Sequence, residues 1–133
     1  MRITLVLAGL VTAAGAGAQV ASGPSYIFFD WGKRELSSDA TATLDGVVEQ
    51  YRLAPGSILL DGHSDRSGPA GSNLISSRHR AEIARDYLIA HGIPQSAMRV
   101  RAYGEAAPII ATADGVREIQ NRRVEIRLIA PGN

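Results

Sequence analysis

The sequence contains no cysteine, which excludes a disulfide framework, a thiolate metal site and lipidation at a cysteine following an export signal. Lysine is almost missing too: Lys33 is the only one, so arginine carries the basic side of the chain. Neither sign of charge is in excess. Fourteen basic residues face thirteen acidic ones and leave a formal charge of +1, whereas a polyanion binder would be more basic. There is no Gly-x-Ser-x-Gly elbow, and the histidines lack a persuasive serine partner, so serine nucleophile chemistry is disfavoured. No internal repeat or low-complexity segment follows the N-terminal residues.

What is present suits one domain. The chain has 133 residues, 45% of them apolar and 20% charged, an ordinary globular balance with room for a single core. The first residues read separately. Arg2 gives a weak positive start, Ile3 to Val11 a short apolar stretch, and Ala16-Gly17-Ala18 a small-residue cleavage site before Gln19. Residues 1–18 are therefore expected to be a secretory signal, an uncleaved anchor being the alternative, with a soluble domain over 19–133. Without Arg2, thirteen basic residues match thirteen acidic ones, which removes long-range steering by net charge.

Alternating structure is legible along the domain. Tyr26-Ile27-Phe28-Phe29, bounded by Gly23-Pro24 and Gly32, predicts a buried strand. Ser37 or Ser38 can cap a helix carrying Ala40, Leu44, Val47, Val48 and Tyr51 at helical spacing, closed by Pro55-Gly56. Ile58-Leu59-Leu60 predicts a second strand running into Asp61-Gly62-His63-Ser64-Asp65 and a turn-rich loop. A second helix is expected to begin near Ser72 or Asn73, to turn Leu74, Ala81, Ala84 and Leu88 inward, and to end at Gly92 and Pro94. Met98 to Tyr103 predicts a third strand. Val124, Ile126 and Leu128, alternating with Arg123, Glu125 and Arg127, predict a fourth with one buried face. The pattern is α+β: a two-layer sandwich with two main helices on one face of a four-stranded sheet.

On a helical wheel Asn73, Ser77, Arg80 and Ala84 share one sector, while Arg78, Glu82, Arg85 and Asp86 lie opposite. Arg80 thus sits at the edge of the apolar stripe and needs an anionic partner, for which Asp65 is the nearby candidate. Two readings follow. The pair ties loop to helix as a structural ion pair, or it flanks a cleft, the guanidinium taking a ligand carboxylate and Asp65 a ligand ammonium. The second arrangement reads an amino-acid zwitterion.

The blocks Gly62-His63-Ser64-Asp65, Gly68, and Asn73 with Ser77, Arg80 and Ala81 resemble the signature of the OmpA-like C-terminal domain family, shared by Pal and MotB proteins. Phe28-Phe29-Asp30-Trp31, Gly92-Ile93, Tyr103-Gly104-Glu105 with Pro108, and Asn121-Arg122-Arg123-Val124-Glu125 extend the resemblance in the family's order. It implies a βαβαββ fold with a mixed sheet. It also implies non-covalent binding of peptidoglycan through the diaminopimelate of the stem peptide, in the periplasm, with no turnover and no cofactor. Position by position, Asp65 matches the aspartate that takes the ligand ammonium and Arg80 the arginine that takes its carboxylate. Asn73 and Ser64 match supporting polar positions, and Phe29 and Asp30 the loop lining the cleft. Gly62, His63, Arg122 and Arg123 match positions that hold the fold. Outer-membrane or other envelope proteins are the further partners it implies, and the alternative it leaves is a partner-binding protein that kept the fold and lost the ligand.

Two positions depart from the family pattern: Ser76 stands where leucine is usual, and Gly32 where an acidic or amide residue is usual. Other conspicuous residues read more plainly. His63, Asp65 and His79 could suggest a metal hydrolase, but His79 is expected on the solvent side of its helix, which disfavours convergence on one ion. His91 is expected to favour a helix C-terminus, and Trp31 to cap the core. Arg99, Arg101 and Arg127 could form a nucleic-acid surface, which export and neutrality argue against.

Overall fold

The computed structural model describes residues 23–132, so the expected signal segment and the first residues of the expected domain lie outside the described residues. Four strands, β1 (Ser25–Phe28), β2 (Ser57–His63), β3 (Met98–Gly104) and β4 (Arg123–Ile129), alternate with two helices, α1 (Ser38–Leu53) and α2 (Ala70–Ala90). The sheet order is β1-β4-β2-β3, with β2 and β3 parallel and the other two pairings antiparallel. This is the α+β sandwich expected from the sequence. The parallel pair exists because α2 crosses over between its strands, and β4 returns to lie between β1 and β2.

Local chemistry accounts for the elements. Ser37 caps α1, its Oγ accepting from the Ala40 amide at 3.0 Å, with Asp39 in the first turn and Arg52 in the last complementing the helix dipole. Ala40, Leu44, Val47 and Val48 then face the sheet. In α2 the buried stripe is Asn73, Ser77, Arg80, Ala81, Ala84 and Leu88, small enough at its middle for the helix to lie close to β2. Gly62 permits that approach, since any Cβ there would penetrate the Ser77 carbonyl. Ile27, Ile58, Leu60, Val124 and Ile126 complete one core beneath both helices.

Three expectations need correction. α2 begins at Ala70 rather than near Ser72 or Asn73, with Pro69 as its cap and no side-chain capping bond. The extended backbone of Pro69 directs the chain into the helix, and its carbonyl accepts from the Asn73 amide at 2.9 Å. Leu74 points outward at 47% exposure because Asn73 takes the inward place in the first turn. β4 is buried on both faces at its start: Arg123 is 3% exposed, its guanidinium donating to Glu125 at 2.6 Å and to the Ala107 carbonyl at 2.9 Å. The long connection from β3 to β4 folds over that end. Asn121 holds it there by accepting from the Ile109 and Ile110 amides and donating to the Ile110 carbonyl.

Candidate functional site

The carboxyl end of β2 delivers His63, Ser64 and Asp65 to one edge of the sandwich, beside the chain entering β4. Asp65 is 3% exposed, and its oxygens accept four hydrogen bonds. Oδ1 takes the Ser67 amide at 3.1 Å and the Ser67 hydroxyl at 2.6 Å; Oδ2 takes the Glu118 amide at 3.0 Å and Arg122 Nη1 at 2.6 Å. Burial alone would push this carboxyl up, but the hydrogen bonds from Ser67, Arg122 and Glu118 outweigh it and hold the group below its ordinary value. Asp65 is an anion in this setting.

Arg80 does not pair with Asp65. No oxygen of any carboxylate among the described residues lies within 4.0 Å of its nitrogens, so an internal ion pair between the two is not what the fold builds. Its Nη1 donates to the His63 carbonyl at 3.1 Å, and the guanidinium lies 5.7 Å from the centroid of the Phe29 ring. Arg80 is 8% exposed. Burial, then repulsion from Arg122, lowers its pKa to about 10, with Asp65 opposing the shift. Arg80 remains a cation at neutral pH, in a cluster where two guanidinium groups stand near one carboxylate that only Arg122 contacts. A single incoming anion would balance that charge.

Arg122 joins the parts of the site. Besides Asp65 it reaches the Phe29 carbonyl, which its Nε meets at 2.9 Å, so the end of β1, the loop after β2 and the start of β4 are tied together. Phe29 contributes its ring to the core at 1% exposure and its face to Arg80. Ser64 is buried, its amide donating to the Gly104 carbonyl at 2.8 Å and its hydroxyl to the Asp65 carbonyl at 3.0 Å. Asn73 braces the loop, its Nδ2 donating to the Gly68 carbonyl at 2.9 Å and to Glu105 at 2.8 Å.

A recess of about 130 Å³ opens beside Arg80, lined by Gly32, Lys33, Arg34, Ser76, His79 and Arg80. His79 therefore lines this recess half-buried instead of standing on the solvent side, because the loop after β1 folds across that part of α2. Asp30 is exposed and faces a separate, wider groove of about 640 Å³ between β1 and the start of α1. Trp31 is 48% exposed and does not cap the core: its Nε1 donates to Ser67 at 3.1 Å, and the Arg117 guanidinium stacks 3.5 Å from its ring centroid.

His63 is buried against Tyr103, with ring centroids 5.1 Å apart, and neither ring nitrogen has a hydrogen-bond partner. Among the described residues no three His, Cys, Asp or Glu side chains are grouped to hold a metal ion, and no helix is long and apolar enough to cross a membrane. Sequence reasoning missed Ser67 and the Glu118 amide as partners of Asp65, and Lys33 and Arg34 as neighbours of Arg80. Ser67 carried a signal: an aspartate side chain in a turn often accepts from the backbone amide two residues on, the Asx turn, as Asp65 does from Ser67.

The sequence profile of the OmpA family matches residues 28–122. A peptidoglycan-associated lipoprotein of Rhizobium meliloti is 37% identical over 98 residues, which cover 73% of this chain and 56% of that protein. The chain thus spans little more than half the length of that relative. The OmpA-like domain of FopA1 from Francisella tularensis has a TM-score of 0.71 at 18% identity, over 80% of this chain and 71% of that one. The cell wall anchor of the T6SS from Pseudomonas aeruginosa has a TM-score of 0.65 at 24% identity, over 89% and 93% respectively. At such identities these two structures establish the fold alone.

Proposed function

The chain belongs to the OmpA family, and from that premise we propose that it binds peptidoglycan non-covalently through the diaminopimelate of the stem peptide, helping to anchor or organise the cell envelope. One observation carries the reading: Arg80 is a buried guanidinium lining a recess, and among the described residues no carboxylate lies within 4.0 Å of its nitrogens. A fold does not gain stability from such a charge, because desolvation is not repaid. It gains a place for an anion. The ligand carboxylate forks onto Arg80, and the ligand ammonium approaches Asp65 by displacing the rotatable Ser67 hydroxyl.

Charge-assisted hydrogen bonds contribute about 1.5 to 3 kcal/mol each, so two such anchors less ordering costs suit roughly micromolar to millimolar affinity. Many copies on one wall would add avidity. The Rhizobium relative is a peptidoglycan-associated lipoprotein, which supports a wall ligand and a place in the periplasm. Binding without turnover accords with a family of anchoring proteins, and envelope proteins are the partner class it suggests.

The internal Asp65–Arg122 pair supports a second reading, in which the fold is kept and no wall ligand is taken. Cosedimentation with diaminopimelate-containing sacculi separates the two. The wild-type chain is expected to pellet with sacculi and to be released by free diaminopimelate. A chain that stays in the supernatant leaves only the second reading.

A further inference from the structure

We propose that the recess beside Arg80 is a second anion subsite, which takes a carboxylate of the wall peptide other than the one held by Arg80. This rests on the wall-peptide reading above and adds a specificity to it. Size is the first argument. At about 130 Å³ the recess is well below the roughly 300 to 1,000 Å³ of sites that enclose a small molecule, so it fits one functional group of a larger ligand.

Charge is the second. Beyond Arg80, Lys33 and Arg34 line the recess with Ser76 and His79, and none of the lining residues is acidic. Among the described residues, neither Lys33 nor Arg34 forms an ion pair within 4.0 Å. The third is an unused polar atom: His79 Nδ1 is buried and has no hydrogen-bond partner among the described residues.

Gly32 makes the charge one-sided. It stands where the family resemblance places an acidic or amide residue, with φ at +71° and nothing within 4 Å of the position a Cβ would take. An acid there would set a negative charge at the rim. In this chain the charged side chains lining the recess are all cations, beside Ser76 and His79, which suits an anion and disfavours its neutral amide.

The test uses a soluble wall tripeptide, alanyl-glutamyl-diaminopimelate, in two forms. One has every carboxylate free; the other is amidated at each carboxylate outside the diaminopimelate end that Arg80 holds. Calorimetric titration is expected to show the free form binding the wild-type chain about tenfold more tightly. The Lys33→Ala/Arg34→Ala double variant and, independently, Gly32→Asp are expected to bind both forms equally, near the wild-type affinity for the amidated one. Equal affinity of the wild type for the two forms, or a preference that survives both variants, would overturn the subsite while leaving the wall-peptide reading intact. If the wild type binds neither form, the wall-peptide reading falls and the subsite with it.

Discussion

Arg122 places Nη1 2.6 Å from Oδ2 of Asp65, and both side chains are buried, at 8% and 3% exposure. Asp65 is therefore satisfied from within the fold, whereas Arg80, the other charged residue that the sequence singles out, is not. The two arginines divide the labour: one holds the carboxylate in place, and the other lines the recess with no carboxylate partner among the described residues.

That division makes the arginines separable by substitution. Arg122→Ala strands a buried carboxylate and is expected to cost about 3 to 5 kcal/mol of stability. Arg80→Ala strands no carboxylate and removes a cation that Arg122 repels, so its loss is expected to stay below about 1.5 kcal/mol, mostly lost packing on Phe29. Urea unfolding of both variants checks this. Equal losses would mean that Arg80 is held by the fold as firmly as Arg122.

Gly62→Ala tests the approach of α2 to β2. The added methyl would collide with the Ser77 carbonyl, a backbone group that cannot swing aside, and Ala81 lies close as well. A cost of about 1 to 3 kcal/mol, typical of overpacking, is expected in thermal unfolding. Because α2 carries Arg80, wall binding should weaken with it.

His63 makes stability depend on pH. Burial first, then the charge of Arg123, holds its imidazole below the ordinary value of 6.5, against the pull of Glu125 and Asp61. The unfolded chain takes up a proton as pH falls through 6.5 while the folded chain does not, so this contribution is full above 6.5 and is lost on acidification towards the folded value. Asp65 works in a lower window: its folded pKa lies below 3.8, so its contribution holds above 3.8 and is lost only below it. Unfolding midpoints between about pH 7 and about pH 5 should therefore fall for the wild type and flatten for His63→Phe. An apolar ring also removes two unsatisfied nitrogens, so the variant should be at least as stable as wild type at neutral pH.

Much of this architecture was legible in the sequence, and the parts that were not share a cause. Ser37 and the spacing of Ala40, Leu44, Val47 and Val48 gave α1, because capping and periodicity are local. The wheel placed Arg80 inward for the same reason. The partner of Asp65 was hidden because Arg122 lies 57 residues away, and only the insertion of β4 between β1 and β2 brings it near. Leu74 misled because an apolar residue in a helical stripe counts as core, whereas here Asn73 turns inward to brace the loop. Lys33, Arg34 and His79 converge only through the fold of the loop after β1 over α2.

Whether Arg80 receives a wall carboxylate is read from the affinity of soluble diaminopimelate-containing wall fragments for the wild-type chain and for Arg80→Ala, with unfolding curves taken on the same samples. Saturable binding by the wild type, a loss of at least about tenfold in Arg80→Ala, and little change in stability are expected. Undiminished binding by a folded Arg80→Ala chain would contradict it.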